Sequence, residues 1–372
     1  MLRNSVADKM RSLGKIVVVI AFLAACDAEQ KTQEEPVAAT TPSDRKINTY
    51  NMGKAWLSEY GFFEGNLADL QPAPNVVPYE LNTPLFSDYA YKKRFIYFPE
   101  GTPAYYQEQE VLEFPIGTIL IKNFYYPNDF RDAAKGKRIL ETRLLVYEEK
   151  GWKALSYLWN EQQNDAYFEL LGATIPVQWT HHDGEIKKTN YIVPNLNQCK
   201  SCHAKGKALV PIGPTARQLN RNHSFTSGEK NQLDYLQAHG YLTALPEAEN
   251  RPSLPLWEDP QSGTVHQRAM AYLDINCGPC HNPEGPAKTS GLHLTVFETD
   301  PYKLGLMKPP VAAGKASGDL LYDIVPGRPE ASILLYRMNS IHPDVMMPEL
   351  GRTLIHEEGV ELIREWIAGM GD

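Results

Sequence analysis

The stretch Thr189-Asn190-Tyr191-Ile192-Val193-Pro194-Asn195-Leu196-Asn197-Gln198-Cys199-Lys200-Ser201-Cys202-His203 decides how the chain is built. Pro194 lacks a backbone N–H and clashes with a preceding helical turn, so no helix runs through it into Cys199. The β-branched and aromatic run Tyr191-Ile192-Val193 reads as the end of a strand. A second Cys-x-x-Cys-His run, Cys277-Gly278-Pro279-Cys280-His281, is reached differently. It follows Thr264 to Asn276, where Val265, Ala269, Tyr272 and Leu273 lie on one side of a helix. One motif closes a β-rich region and the other closes a helix, which makes the expected fold α+β.

The spacing carries chemistry. Two thiols one turn apart can add across the vinyl groups on one edge of a porphyrin, and the adjacent imidazole then falls beneath the iron. The pattern therefore predicts two covalently bound haem c groups. Cys199, Cys202, Cys277 and Cys280 are the attachment points, and His203 and His281 the iron ligands. A redox disulfide and a zinc site of four cysteines are the competing readings. Zinc ribbons keep their cysteine pairs closer together and need no histidine after each pair. The remaining cysteine of the five is Cys26, so haem attachment leaves no pair for a structural disulfide.

Residues 1–26 read as a signal segment. Arg3, Lys9, Arg11 and Lys15 precede the apolar run Ile16 to Ala25, which is too short to span a bilayer. Leu23-Ala24-Ala25-Cys26 resembles a bacterial lipobox, which implies lipidation at Cys26 and a lipid anchor on the periplasmic side of a membrane. Asp27 resembles an inner-membrane retention signal. Residues 27–48 lack apolar periodicity and read as a disordered tether, reaching at most about 70 Å. The formal net charge is −8 for the whole chain. Losing a leader with four basic residues and one acidic residue makes it −11. Such a balance argues against nucleic acid and for neutral or basic protein partners.

Residues 49–245 are expected to form a β-rich unit. Arg94 to Phe98 and Ile119 to Phe124 read as strands, and Leu140 to Tyr147 and Trp152 to Trp159 flank a hairpin turn. Thr226-Ser227-Gly228-Glu229 has capping-box spacing ahead of a short helix with Leu233 and Leu236. Residues 246–262 are proline-rich and read as a linker. In residues 263–372, Pro329 to Met338 and Glu357 to Ala368 add two further helices.

Phe114 to Lys122, Glu141 to Val146, Trp159-Asn160 and Cys199 to His203 resemble a bacterial family of two-haem c-type cytochrome lipoproteins, from about Pro78 to the C-terminus. The β-rich part is more weakly similar to cytochrome c′-beta and to hydroxylamine-oxidising cytochromes, in which a lysine is cross-linked to haem; Lys122 is the comparable residue here. Three helices around a haem resemble an all-α class I cytochrome c domain over residues 263–372. In that fold, Met346-Met347-Pro348 resembles the loop that supplies the sixth iron ligand, which makes Met347 the expected ligand and Met346 the fallback. Ile212-Gly213-Pro214 resembles the segment whose prolyl carbonyl fixes the ligand histidine.

For the first haem the sixth ligand stays open among His181, His182, His223 and a vacant position, because no methionine lies between Met52 and Met270. The expected function is electron transfer between a periplasmic redox protein, such as the quinoprotein-type dehydrogenase the resemblance implies, and a respiratory partner. The competing expectation is a haem enzyme or gas-binding protein acting at an open first haem, with peroxidase-like, hydroxylamine or nitric oxide chemistry.

Overall fold

Alternating side chains on neighbouring strands build the larger layer. The computed structural model describes residues 52–311 and 313–371, so the expectations for the leader, Cys26 and the tether lie outside the described residues. Six strands pair antiparallel in sequence order: β1 (Val76–Tyr79), β2 (Tyr91–Tyr97), β3 (Ile119–Pro127), β4 (Lys137–Glu148), β5 (Gly151–Trp159) and β6 (Ala166–Phe168). A long excursion, residues 98–118, separates β2 from β3, whereas Glu149-Lys150 closes the expected hairpin between β4 and β5.

The two faces of this sheet differ. Phe95, Ile121, Leu144 and Leu155 stand on one face and are buried with Leu57, Phe63 and Leu70. The other face carries Ile96 and Leu120, then Arg94, Lys122 and Arg143, then Phe124. Strands β7 (Ala173–Thr180) and β8 (Ile186–Val193) form a hairpin whose Val177, Trp179 and Tyr191 cover Phe124, Tyr126 and Leu140.

Where β8 stops at Pro194, Asn195 starts helix α1 (Leu196–His203). Its side chain accepts from the N–H groups of Asn197 and Gln198, and Gln198 reciprocates to the Asn195 N–H. Next come α2 (Ala216–Leu219), the hairpin β9 (Asn222–Phe225) and β10 (Gly228–Asn231), and α3 (Gln232–Ala238). The Thr226-to-Glu229 box is therefore not a cap: it spans the turn and start of that hairpin, and Asn231 caps α3 through the Leu233 N–H.

Helices α4 (Val265–Asn276), α5 (Ile333–Met338) and α6 (Glu357–Ala368) follow at the expected places. Leu273 of α4 packs with Ile363, Trp366 and Ile367 of α6. The expectation of an all-α class I cytochrome c domain is nevertheless overturned. Among the described residues the fold is 28% strand and 24% helix with six α-helices, and no all-α C-terminal domain is evident. Between α4 and α5 the backbone turns repeatedly and makes the β-bridges Leu306–Ile324 and Tyr322–Ser332. The cause is local, because Gly291, Gly305, Gly314, Gly318 and Gly327 all adopt positive φ, which a helix excludes.

The described residues fall within one compact unit, and polar contacts join the sheet to the C-terminal segment. Buried Asp88 accepts from the Thr353 N–H at 2.7 Å and the Leu354 N–H at 2.8 Å, and Phe86 N–H donates to Asn276 Oδ1 at 2.9 Å. The proline-rich segment 246–262 packs against this seam, with Trp257 buried. Among the described residues, no helix is long and apolar enough to cross a membrane.

Candidate functional site

The two Cys-x-x-Cys-His motifs open into adjoining cavities. Cys199, Cys202 and His203 line one of about 410 Å³, with Leu120, Lys122, Arg143 and Leu145 of the sheet as its floor. Cys277, Cys280 and His281 line another of about 570 Å³, together with Leu294, Met338 and Met347. Both fall in the range of about 300–1,000 Å³ typical of ligand and cofactor sites. Cys202, Glu349 and Leu350 line both cavities, so the two sites share a wall.

Each histidine is prepared in the same way. His203 Nδ1 lies 2.8 Å from the Val210 carbonyl, which can only accept, so this nitrogen carries the proton. His281 Nδ1 lies 3.1 Å from Ser290 Oγ, whose own proton goes to the Ala287 carbonyl at 2.7 Å. In both rings Nε2 is left with its lone pair, the state that binds iron. Burial pushes His203 down to about 4, with Lys122 and Arg143 adding to the shift against the Val210 bond. Burial also pushes His281 down to about 4, helped by Arg337, Lys308 and His293. Neutral imidazoles result at ordinary pH. The partner of His203 is not the expected Gly213-Pro214 segment, because the Pro214 carbonyl accepts from the Leu112 N–H instead.

The four motif cysteines form no disulfide with one another. Among the described residues no group of three or more His, Cys, Asp or Glu side chains is placed to share a metal ion, so the four thiols do not gather as a zinc site requires. Attachment of one porphyrin per pair asks only for two thiols and one imidazole at the edge of a cavity. The residues at each motif fit that demand.

None of the three histidines named for the first site lines its cavity. His181 and His182 border a separate cavity of about 750 Å³ with Phe86, Tyr89, Phe130 and Trp257. His223 stands on β9 against Phe225. A residue distant in sequence takes their place. Met346 lines the cavity of His203, while its neighbour Met347 lines the cavity of His281. Arg352 fixes this loop: Nη2 donates to the carbonyls of Ser340 at 2.9 Å and Met347 at 2.8 Å, and Nη1 to that of Leu354 at 3.0 Å.

Sequence inspection also missed the cationic floor. Arg94, Lys122 and Arg143 are direct cross-strand neighbours on β2, β3 and β4. Like charges so placed repel, by about 3 kcal/mol for a pair about 5 Å apart at an effective dielectric of about 20. Burial, with Arg94, Lys92 and Arg143, holds the Lys122 ammonium well below its ordinary value. Burial, with Arg94 and Arg143, lowers Lys92 to about 7. Only the strand register brings these residues together.

Comparison of the chain with protein-family models, with curated proteins and with solved structures gives no match.

Proposed function

We propose that this chain is a two-haem c-type cytochrome that carries electrons between a periplasmic redox enzyme and a respiratory partner. Cys199 and Cys202 would hold one haem with His203 on its iron, and Cys277 and Cys280 the other with His281. Bound there, the haems supply reversible one-electron chemistry. The observation that carries this reading is the shared wall of Cys202, Glu349 and Leu350 between two cavities that each present a cysteine pair and a histidine with a free Nε2. Adjacent sites suit passage of an electron from one to the other.

The chain's own residues set the environment. Val210 and Ser290 orient the imidazoles, and Arg352 positions Met346 and Met347 at the two cavities. Lipidation at Cys26 would tether the body to the periplasmic side of a membrane, within reach of partners such as a quinoprotein-type dehydrogenase. A second reading, a haem enzyme or gas-binding protein acting at the first cavity, is favoured by the cations on that cavity's floor, which a simple relay does not require.

Intact mass of the purified protein under denaturing conditions tests the proposal. Two haems should remain attached, and the pairs Cys199→Ser/Cys202→Ser and Cys277→Ser/Cys280→Ser should each lose one. Polypeptide mass alone, with bound zinc or a disulfide, would overturn it. Carbon monoxide binding to the reduced protein at the first site would favour the second reading.

A further inference from the structure

One rung of the sheet is chemically incomplete. Tyr79, Arg94, Lys122, Arg143 and Ser156 stand side by side across β1 to β5, and all but Ser156 line the cavity of His203. The Arg94 side chain is 4% exposed; its Nη1 meets Glu80 at 3.3 Å and its Nη2 has no partner. Arg143 meets Glu141 through Nη2, while its Nε has none. Lys122, between them, makes no hydrogen bond or ion pair among the described residues, and its ammonium rests 4.8 Å from the centre of the Phe124 ring.

Of the carboxylates on or near this cavity, Glu141 and Asp88 are already engaged, and Glu349 is exposed to solvent. Glu141 also accepts from Tyr191 Oη at 2.6 Å and Ser156 Oγ at 3.1 Å. Asp88, on the cavity wall, accepts from the backbone and hydroxyl of Thr353 and from the Leu354 N–H. The strand ladder holds the three cations in one row. Buried donors without acceptors are costly, and buried like charges more so, unless a negative group completes them.

We infer that Arg94, Lys122 and Arg143 form a binding site for a carboxylate or small oxyanion within the cavity of His203. A planar anion can take donors from both guanidinium groups while meeting the ammonium between them. The same chemistry has two sources: an acid arm of a haem held at Cys199 and Cys202, which rests on the function proposed above, or a free anion that enters the cavity and does not depend on it.

The test uses the full-length protein as purified, its haem content first fixed by intact mass. Sodium formate is titrated by calorimetry at constant ionic strength into the wild type, Lys122→Gln and Lys122→Arg, and the midpoint potential of each haem is measured in all three. If the anion is free, formate binds saturably to the wild type, at least tenfold more weakly to Lys122→Gln, and near wild-type strength to Lys122→Arg. If the anion is an acid arm of the haem, formate does not bind. In that case Lys122→Gln shifts the potential of the first haem alone and Lys122→Arg restores it. Formate binding unchanged by Lys122→Gln, or no binding together with unshifted potentials, overturns the inference. Protein without haem refutes the proposed function and leaves the formate titration to decide the anion site. Should Lys122→Gln not fold, Arg94→Gln replaces it under the same criteria.

Discussion

The cavities at His203 and His281 present the same five-residue motif on unlike supports. The first lies on the face of a six-stranded sheet, where register sets which side chains form the floor. The second is walled by helix ends and turns, with mainly apolar neighbours such as Leu292, Leu294, Ile333 and Met338. Even the histidine anchors differ, a backbone carbonyl for His203 and a serine hydroxyl for His281. The same motif can therefore sit in unlike surroundings, which its support decides. The sheet supplies charge in a row, and the turns supply mainly aliphatic neighbours.

The largest expected effect separates the cavities by their methionines. Met347→Ala should abolish the near-infrared sulfur-to-iron band of the site at His281. Met346→Ala should leave that band and open the site at His203 to carbon monoxide in the reduced protein. A band of undiminished intensity in Met347→Ala would break the assignment of one methionine to each cavity.

The next contrast concerns buried charge. Glu141 is fully buried and holds Arg143, Tyr191 and Ser156, whereas Asp323 holds Lys308 at 3.1 Å with both side chains nearly buried. Removing one partner of a buried pair costs about 3–5 kcal/mol. Glu141→Ala should lie at the upper end and Asp323→Ala at the lower, because Asp323 leaves a lysine that still reaches the Pro309 carbonyl at 3.2 Å. Urea denaturation of the two variants measures this, and the reverse order would show that the sheet rung is not the more strained region.

A smaller effect probes the anchors. Ser290→Ala removes the acceptor of His281 Nδ1 and should cost about 1 kcal/mol of stability, while raising the potential of the second haem, because the imidazole loses basicity, and sparing the first. A shift at both haems would show that the anchor acts through the shared seam.

Much of this architecture is legible in the chain. Alternation marks β2 and β3, the loop after Tyr147 marks the hairpin, and the spacing of Val265, Ala269, Tyr272 and Leu273 marks α4. Both cysteine pairs and their histidines are read directly, because covalent spacing is local. The all-α reading of residues 263–372 failed because three helical segments outweighed the glycines between them, whose positive φ values build turns and bridges. His181 and His182 misled by being close in sequence to the first motif. They sit at the far end of the β7–β8 hairpin, which carries them to another cavity. Met346 and the cation rung were hidden for the converse reason, since only tertiary folding and strand register bring them to His203.

Electron paramagnetic resonance of the oxidised protein, set against the two single-haem cysteine variants, tests the central claim of adjoining haem sites most directly. Neighbouring paramagnetic irons perturb one another, so the wild-type spectrum should differ from the sum of the spectra of Cys199→Ser/Cys202→Ser and Cys277→Ser/Cys280→Ser. A wild-type spectrum equal to that sum, or one without any haem signal, would contradict the account.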